Sequence, residues 1–161
     1  MKTQYCAIIG DINKSRQLEK RGMVQKKFEK AVEFINTEYK SEIASKFLIT
    51  IGDEFQGLLH TPAKGYQIMR HFREIMEPVQ FSFGADIGTL ATPVAPKAAI
   101  GMDGECFHRA RAALQHAKKN GGSSFMVSPI RSIKILPTLL CIYSIISGIN
   151  SPLNSKELSA Y

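Results

Sequence analysis

Apolar positions switch between two rhythms along this chain, and the order of the switches predicts its architecture. Tyr5-Cys6-Ala7-Ile8-Ile9 is a continuous β-prone run that leads into Gly10-Asp11-Ile12. From Met23 onward, Val24, Phe28, Ala31, Val32, Ile35 and Tyr39 return at steps of three and four. That spacing predicts an amphipathic helix of about five turns, with Lys, Glu and Gln on its other side. Lys46 to Gly52 is a β-branched strand, and Phe55 to His60 reads as its hairpin partner across a tight turn at Gly52-Asp53-Glu54. Thr61-Pro62 opens the next helix as N-cap and first helical residue. Tyr66, Met69, Phe72, the stem of Arg73 and Met76 form its apolar face, and Pro78 ends it. Val79, Phe81, Phe83, Ala85 and Ile87 then alternate with Gln80, Ser82, Gly84, Asp86 and Gly88, which predicts a strand buried on one face and polar on the other.

A Pro-rich connector, Thr92 to Pro96, and the short run Ala98-Ala99-Ile100 follow. Cys106 to Lys119 reads as a helix stopped by Asn120-Gly121-Gly122, Ser124 to Val127 as a short strand, and Ile133 to Ile146 as a C-terminal helix. The order β-α-β-β-α-β, with a further helix and strand, predicts an α+β fold: a ferredoxin-like antiparallel sheet covered by helices on one face. Its core is expected to contain Ile8, Val32, Ile35, Ile49, Ile51, Met69, Phe72, Phe81 and Phe83. Residues 1–147 form the expected domain and 148–161 a loose polar tail.

Composition narrows this picture only a little. At 161 residues, 44% apolar and 22% charged, the chain suits one soluble globular domain. The apolar stretch from Ile133 to Ile149 is too interrupted to span a bilayer, and Met1-Lys2-Thr3 enters a strand without a signal-peptide core. Cys6, Cys106 and Cys141 lack any metal-binding spacing and read as reduced thiols of a cytoplasmic protein. The net charge of +7 gathers around Lys14–Lys27 and Arg109–Lys119, which suits a phosphate-rich ligand or nucleic acid, although a solvated basic face is the commoner source of such an excess.

The candidate chemistry lies at two strand ends. Ile9-Gly10-Asp11 and Ile51-Gly52-Asp53 each place a carboxylate after an apolar strand, where a glycine admits close approach of backbone or ligand. If those strands are neighbours, Asp11 and Asp53 converge and a hard cation, Mg2+ or Mn2+, would relieve their repulsion. Lys14, Ser15 and Arg16 precede a helix N-terminus that can receive phosphate. Glu54 is either a third ligand or a solvated turn residue. A second cluster, Gly101 to Arg111, presents His108, Arg109 and Arg111 at the start of a helix, as candidates to neutralise transition-state charge or as ordinary structural groups. Asp86 and Gly88 are expected to line the same cleft.

Three stretches carry a family resemblance: Ile8-Ile9-Gly10-Asp11-Ile12 with Ser15-Arg16, Ser45-Lys46-Phe47 with Gly52 to Leu59, and Ala99 to Asp103-Gly104 with Phe107 to Arg111. Through them the chain, from about Tyr5 to Ile146, resembles the SatD family of bacterial proteins. That family is associated with acid-tolerance and stress operons and has no assigned activity. The motif order is also similar, at greater distance, to the class III nucleotide cyclases, and Gly52-Asp53-Glu54-Phe55 is similar to the diguanylate cyclase signature. The cyclase resemblance implies a palm-type fold in which Asp11 and Asp53 hold two metal ions on a triphosphate. Other positions depart from it: Ile49 stands where the cyclases have their purine-reading lysine, His108 and Ala112 where they have asparagine and arginine. Ile51 replaces the first glycine of the diguanylate signature.

These readings lead to a cytoplasmic nucleotide-binding protein that uses divalent metal; nucleotidyl transfer is the reaction such a site would suit, and the residues leave open whether any reaction follows binding. The alternative is a non-catalytic regulator that kept the fold and acts through a partner or a homodimer. Nucleic-acid binding is disfavoured, because no recognition motif accompanies the basic charge.

Overall fold

In the computed structural model, which describes residues 3–120 and 124–127, the chain forms a five-stranded sheet of order β2-β3-β1-β4-β5. The strands are β1 (Gln4–Ile12), β2 (Ile43–Ile51), β3 (Glu54–Leu59), β4 (Phe81–Thr89) and β5 (Ser124–Val127). The helices are α1 (Arg21–Glu38), α2 (Gly65–Met76) and α3 (Glu105–Asn120). Strands β1 to β4 pair antiparallel in the ferredoxin-like order, and β5 adds to β4 in parallel after the α3 crossover. The first strand therefore does lie beside the β2–β3 hairpin. The expected helix at Ile133–Ile146, the helix stop at Gly121-Gly122, the tail at 148–161 and Cys141 lie outside the described residues, as does the side chain of Ile51.

One face of the sheet is aromatic. Phe55 stacks on Phe72 of α2 with ring centroids 4.2 Å apart, and Phe28 of α1, Phe81 and Phe83 close around them. The guanidinium of Arg73 lies 5.4 Å over the Phe83 ring. Gly10 belongs to this packing: a Cβ there would come within 2.7 Å of Phe55 Cζ. Its absence makes room for the ring and not, as its position before Asp11 suggests, for a ligand. Ile8, Val32, Ile35, Met69, Phe72, Phe81 and Phe83 are buried as expected, whereas Ile49, on the edge strand, is only half-buried.

The other face is covered too, which corrects the expectation of a sheet with helices on one side and of a half-polar β4. Helix α3 lies across β4 and β1, where Ala7 and Ile9 pack against Cys106, Phe107, Ala110 and Leu114. Gly84 permits this approach, since a Cβ there would fall 2.8 Å from Leu114 Cα and nearer still to other α3 backbone atoms. Ser82 and Asp86, read as solvent-facing from the alternation, are fully buried beneath the helix. The connector 90–104 covers the remainder by packing Val94, Ala99 and Met102 toward Ala44 and Leu58. It also bonds to the edge strand, through Lys46 N–H to Pro96 O at 3.2 Å and Ala99 N–H to Lys46 O at 3.1 Å. One residue further along, the Asn36 side chain accepts from Phe47 N–H and donates to Phe47 O, both at 2.8 Å. Among the described residues no helix is long and apolar enough to cross a membrane.

Candidate functional site

Antiparallel pairing fixes where the acids meet. Register sets Asp11 opposite Glu54 on one side and Ser82 on the other, so the end of β1 faces the β2–β3 turn. Ile12 N–H donates to Asp53 O at 2.9 Å, which ties that turn to the strand end. Gly52 takes a positive φ of 22°, a turn conformation that a side chain would resist. Asp11, Asp53, Lys14, Ser15, Arg16 and Lys118 then line one open cavity of about 490 Å3, within the ordinary size range of small-molecule sites.

The loop after Asp11 does not run directly into α1. A 3-10 turn at Ser15–Gln17 intervenes, with Lys14 in the left-handed region at φ 53°. The first N–H groups of such a turn have no partner inside it, so they face the same demand for an acceptor as a helix start. Asn13 anchors the loop to β4, its N–H bonded to Gln80 O at 2.8 Å and its side chain accepting from Ser82 at 2.7 Å. Ser15 is buried, and its hydroxyl donates to Asp53 Oδ2. Lys14 and Arg16 remain exposed at the rim.

Asp11 is 8% exposed, and burial raises its pKa above the ordinary carboxylate value against the opposing pull of Lys118. The Lys118 ammonium sits 2.7 Å from Asp11 Oδ1. From sequence alone Lys118 is one residue of the basic stretch Arg109–Lys119, with no acid assigned to it. Glu54 is not a solvated turn residue: it is buried, bonded to Arg111 and to the Thr50 hydroxyl at 3.1 Å. Arg111 thus reaches the margin of the cleft by holding Glu54.

The other two members of the second cluster are placed elsewhere. His108 is 74% exposed and pairs with Asp103 at 2.7 Å, at the opposite end of α3 from Lys118. Arg109 is bound to buried Asp86 and donates to Ile87 O at 3.1 Å. Asp86 pairs with Ala7, four residues back along β1 from Asp11, which is about 13 Å of strand. Asp86 and Gly88 accordingly seat α3 and do not line the cleft. Gly88 passes beneath the helix start, where a Cβ would come 2.9 Å from Cys106 N.

The donor set fits a hard cation in part. Asp11 and Asp53 are close enough for mutual repulsion and offer oxygen atoms only, while Glu54 is committed to Arg111 and Thr50. No group of three or more metal-ligating side chains occurs among the described residues. Two carboxylates suit Mg2+ or Mn2+, which fill the rest of their shells with water and phosphate oxygens, and do not suit zinc.

Comparison with known proteins agrees with this geometry at the level of fold. A bacterial light-regulated adenylyl cyclase superposes with a TM-score of 0.52 at 11% identity, over 79% of this chain and 76% of that one. The monomeric guanylyl cyclase domain of a RhoGC fusion protein from the aquatic fungus Blastocladiella emersonii gives 0.50 at 17% identity, over 71% and 75%. The fold is thus the α+β palm type of the nucleotide cyclases. No curated protein matches the sequence. The sequence model of the SatD family matches residues 5–151.

Proposed function

This chain belongs to the SatD family, and from the geometry of its cleft we propose that it is a cytoplasmic protein that binds a nucleoside triphosphate together with Mg2+ or Mn2+. The observation that carries the reading is the convergence of Asp11 and Asp53 beside the Lys14–Arg16 loop in one open cavity. Asp11 and Asp53 would hold the metal. When bound, that metal would neutralise phosphate charge and polarise a phosphoryl oxygen. Ser15 orients Asp53 by donating to one of its oxygens. Lys14 and Arg16 meet the phosphate from the rim. Arg111 keeps Glu54 out of the metal's shell and adds positive charge at the margin.

Binding without turnover is the second reading, and a specific observation favours it. His108 and Arg109, the residues at the positions that would serve transition-state charge, pair with Asp103 and Asp86 away from Asp11. In that reading nucleotide occupancy is a signal passed to a protein partner or to a second copy of this chain.

Calorimetric titration with nucleoside triphosphates, with and without Mg2+, tests the proposal. Metal-dependent binding that Asp53→Ala abolishes is expected. No binding by the wild type, or unchanged binding by Asp53→Ala, rejects it. Chromatographic conversion of any triphosphate, lost in Asp11→Ala, would select catalysis over the regulatory reading.

A further inference from the structure

The geometry points to Lys118 as a phosphate-binding residue that also closes the metal position until phosphate arrives. This rests on the reading of the cleft as a metal–phosphate site and concerns the order in which that site fills. At the end of β1, Asp11 stands opposite Glu54 and lines the cleft with Asp53, and two cations answer the strand-end pair, Arg111 at Glu54 and Lys118 at Asp11. The Arg111 pair is locked by a second bond to Glu54 from Thr50. The Lys118 pair is built differently. Its acid is almost wholly buried, yet its amine enters from the last turn of α3 on a side chain that is 44% exposed. A lysine is a compact charge on a flexible four-carbon stem, so it can leave Asp11 without any movement of the backbone.

While Lys118 stays at Asp11 Oδ1, it occupies the ground a divalent cation needs, and like charges at that spacing repel. A bare cation must therefore break the ion pair and leave the half-exposed ammonium with only water to answer it. A metal arriving with a polyphosphate supplies the answer. Lys118 lines the same cavity as Lys14 and Arg16 and exchanges the carboxylate for a phosphate oxygen as the metal takes its place. The chain then discriminates against free cations and against metal-free anions alike, and favours the metal–polyphosphate complex. The coupling is reciprocal: phosphate raises metal affinity by the same factor by which metal raises phosphate affinity.

Lys118→Met in the full chain tests this, with Lys118→Gln as a second variant and a thermal melt of each to verify folding. Mn2+ binding is read from loss of the free-ion EPR signal, first with the metal alone and then with inorganic triphosphate or a nucleoside triphosphate. In Lys118→Met, Mn2+ alone is expected to bind up to roughly fivefold more tightly, as follows from removing a competing, half-exposed ion pair. The Mn2+–triphosphate complex is expected to bind roughly tenfold more weakly, because one phosphate contact is gone. Unchanged affinity for Mn2+ alone in a folded variant, with wild-type triphosphate binding intact, overturns the role of Lys118 and leaves the site. A wild-type chain that binds no triphosphate overturns the reading of the site itself.

Discussion

Gly84→Ala tests whether α3 is held on the sheet by close backbone approach. The added Cβ would lie 2.8 Å from Leu114 Cα, where ordinary contact begins at 3.4 Å, so the helix must lift by at least the 0.6 Å difference. The opposing atoms include α3 backbone, which cannot rotate away as a side-chain tip can. A gap of that size forfeits about a quarter to a half of each dispersion contact along the lifted surface. That surface is extensive, since Cys106, Ala110, Ala113, Leu114 and Ala117 are all buried on it. Overpacking of this kind costs about 1–3 kcal/mol, and the backbone obstruction places Gly84 at the upper end. Loss of glycine freedom in the unfolded chain returns about 0.4–1 kcal/mol, for a net destabilisation of about 2 kcal/mol. Urea unfolding followed by circular dichroism should show the midpoint fall by about 1 M at an unchanged slope. Gly22→Ala is the internal control. Nothing lies within 4 Å of a Cβ there, in the first turn of α1, so it should hold or slightly raise the midpoint. A Gly84→Ala midpoint indistinguishable from wild type would refute the claim that β4 and α3 touch through this glycine.

Two further outcomes follow from burial. Because the folded-state pKa of Asp11 is raised, the folded chain binds this proton more tightly than the unfolded chain. Stability from this group is therefore present at low pH and lost as pH rises from the ordinary value of 3.8 through the raised one. Asp11→Asn should flatten that part of the stability profile measured by chemical unfolding across the acidic range, and an unaltered profile would contradict it. Burial also raises the Cys106 pKa to about 11 and pushes the buried Cys6 thiol up still further. Brief alkylation of the native protein near neutral pH, followed by peptide mapping, should find both unmodified and both labelled after unfolding.

The parts of this molecule that sequence rhythm revealed are those with a local signal. The three-and-four spacing of Phe28, Ala31, Val32 and Ile35 located α1, and the apolar run before Asp11 located β1, because each pattern is complete within a few turns or residues. The meeting of Asp11 with the Asp53 turn was legible as well, since ferredoxin-like order leaves few places for a hairpin beside β1. The α3 side of the sheet was not. Ser82, Gly84, Asp86 and Gly88 are small or polar, the same signature as a solvated face. Only the helix that lies on them distinguishes a seat from a surface. Arg109 and Lys118 were obscured for a related reason. Each pairs with an acid far away in sequence, Asp86 and Asp11, and nothing within α3 says which acid lies under which turn. Lys118 shows this most directly, being one of several basic residues until the register of α3 on β1 singles it out.

A sheet that ends in an exposed strand invites other chains to continue it, and β2 is such a strand. Here the invitation is withdrawn at its middle. The amide of Asn36 presents one donor and one acceptor to Phe47, the pair of groups that an incoming strand would bring. The chain between Leu90 and Gly104 has already taken the main-chain N–H and C=O of Lys46. Neighbouring molecules therefore meet side chains where they would need a free peptide ladder. If two copies of this chain associate, the middle of β2 is not where one sheet continues into the other, because its peptide groups are already spoken for within the chain.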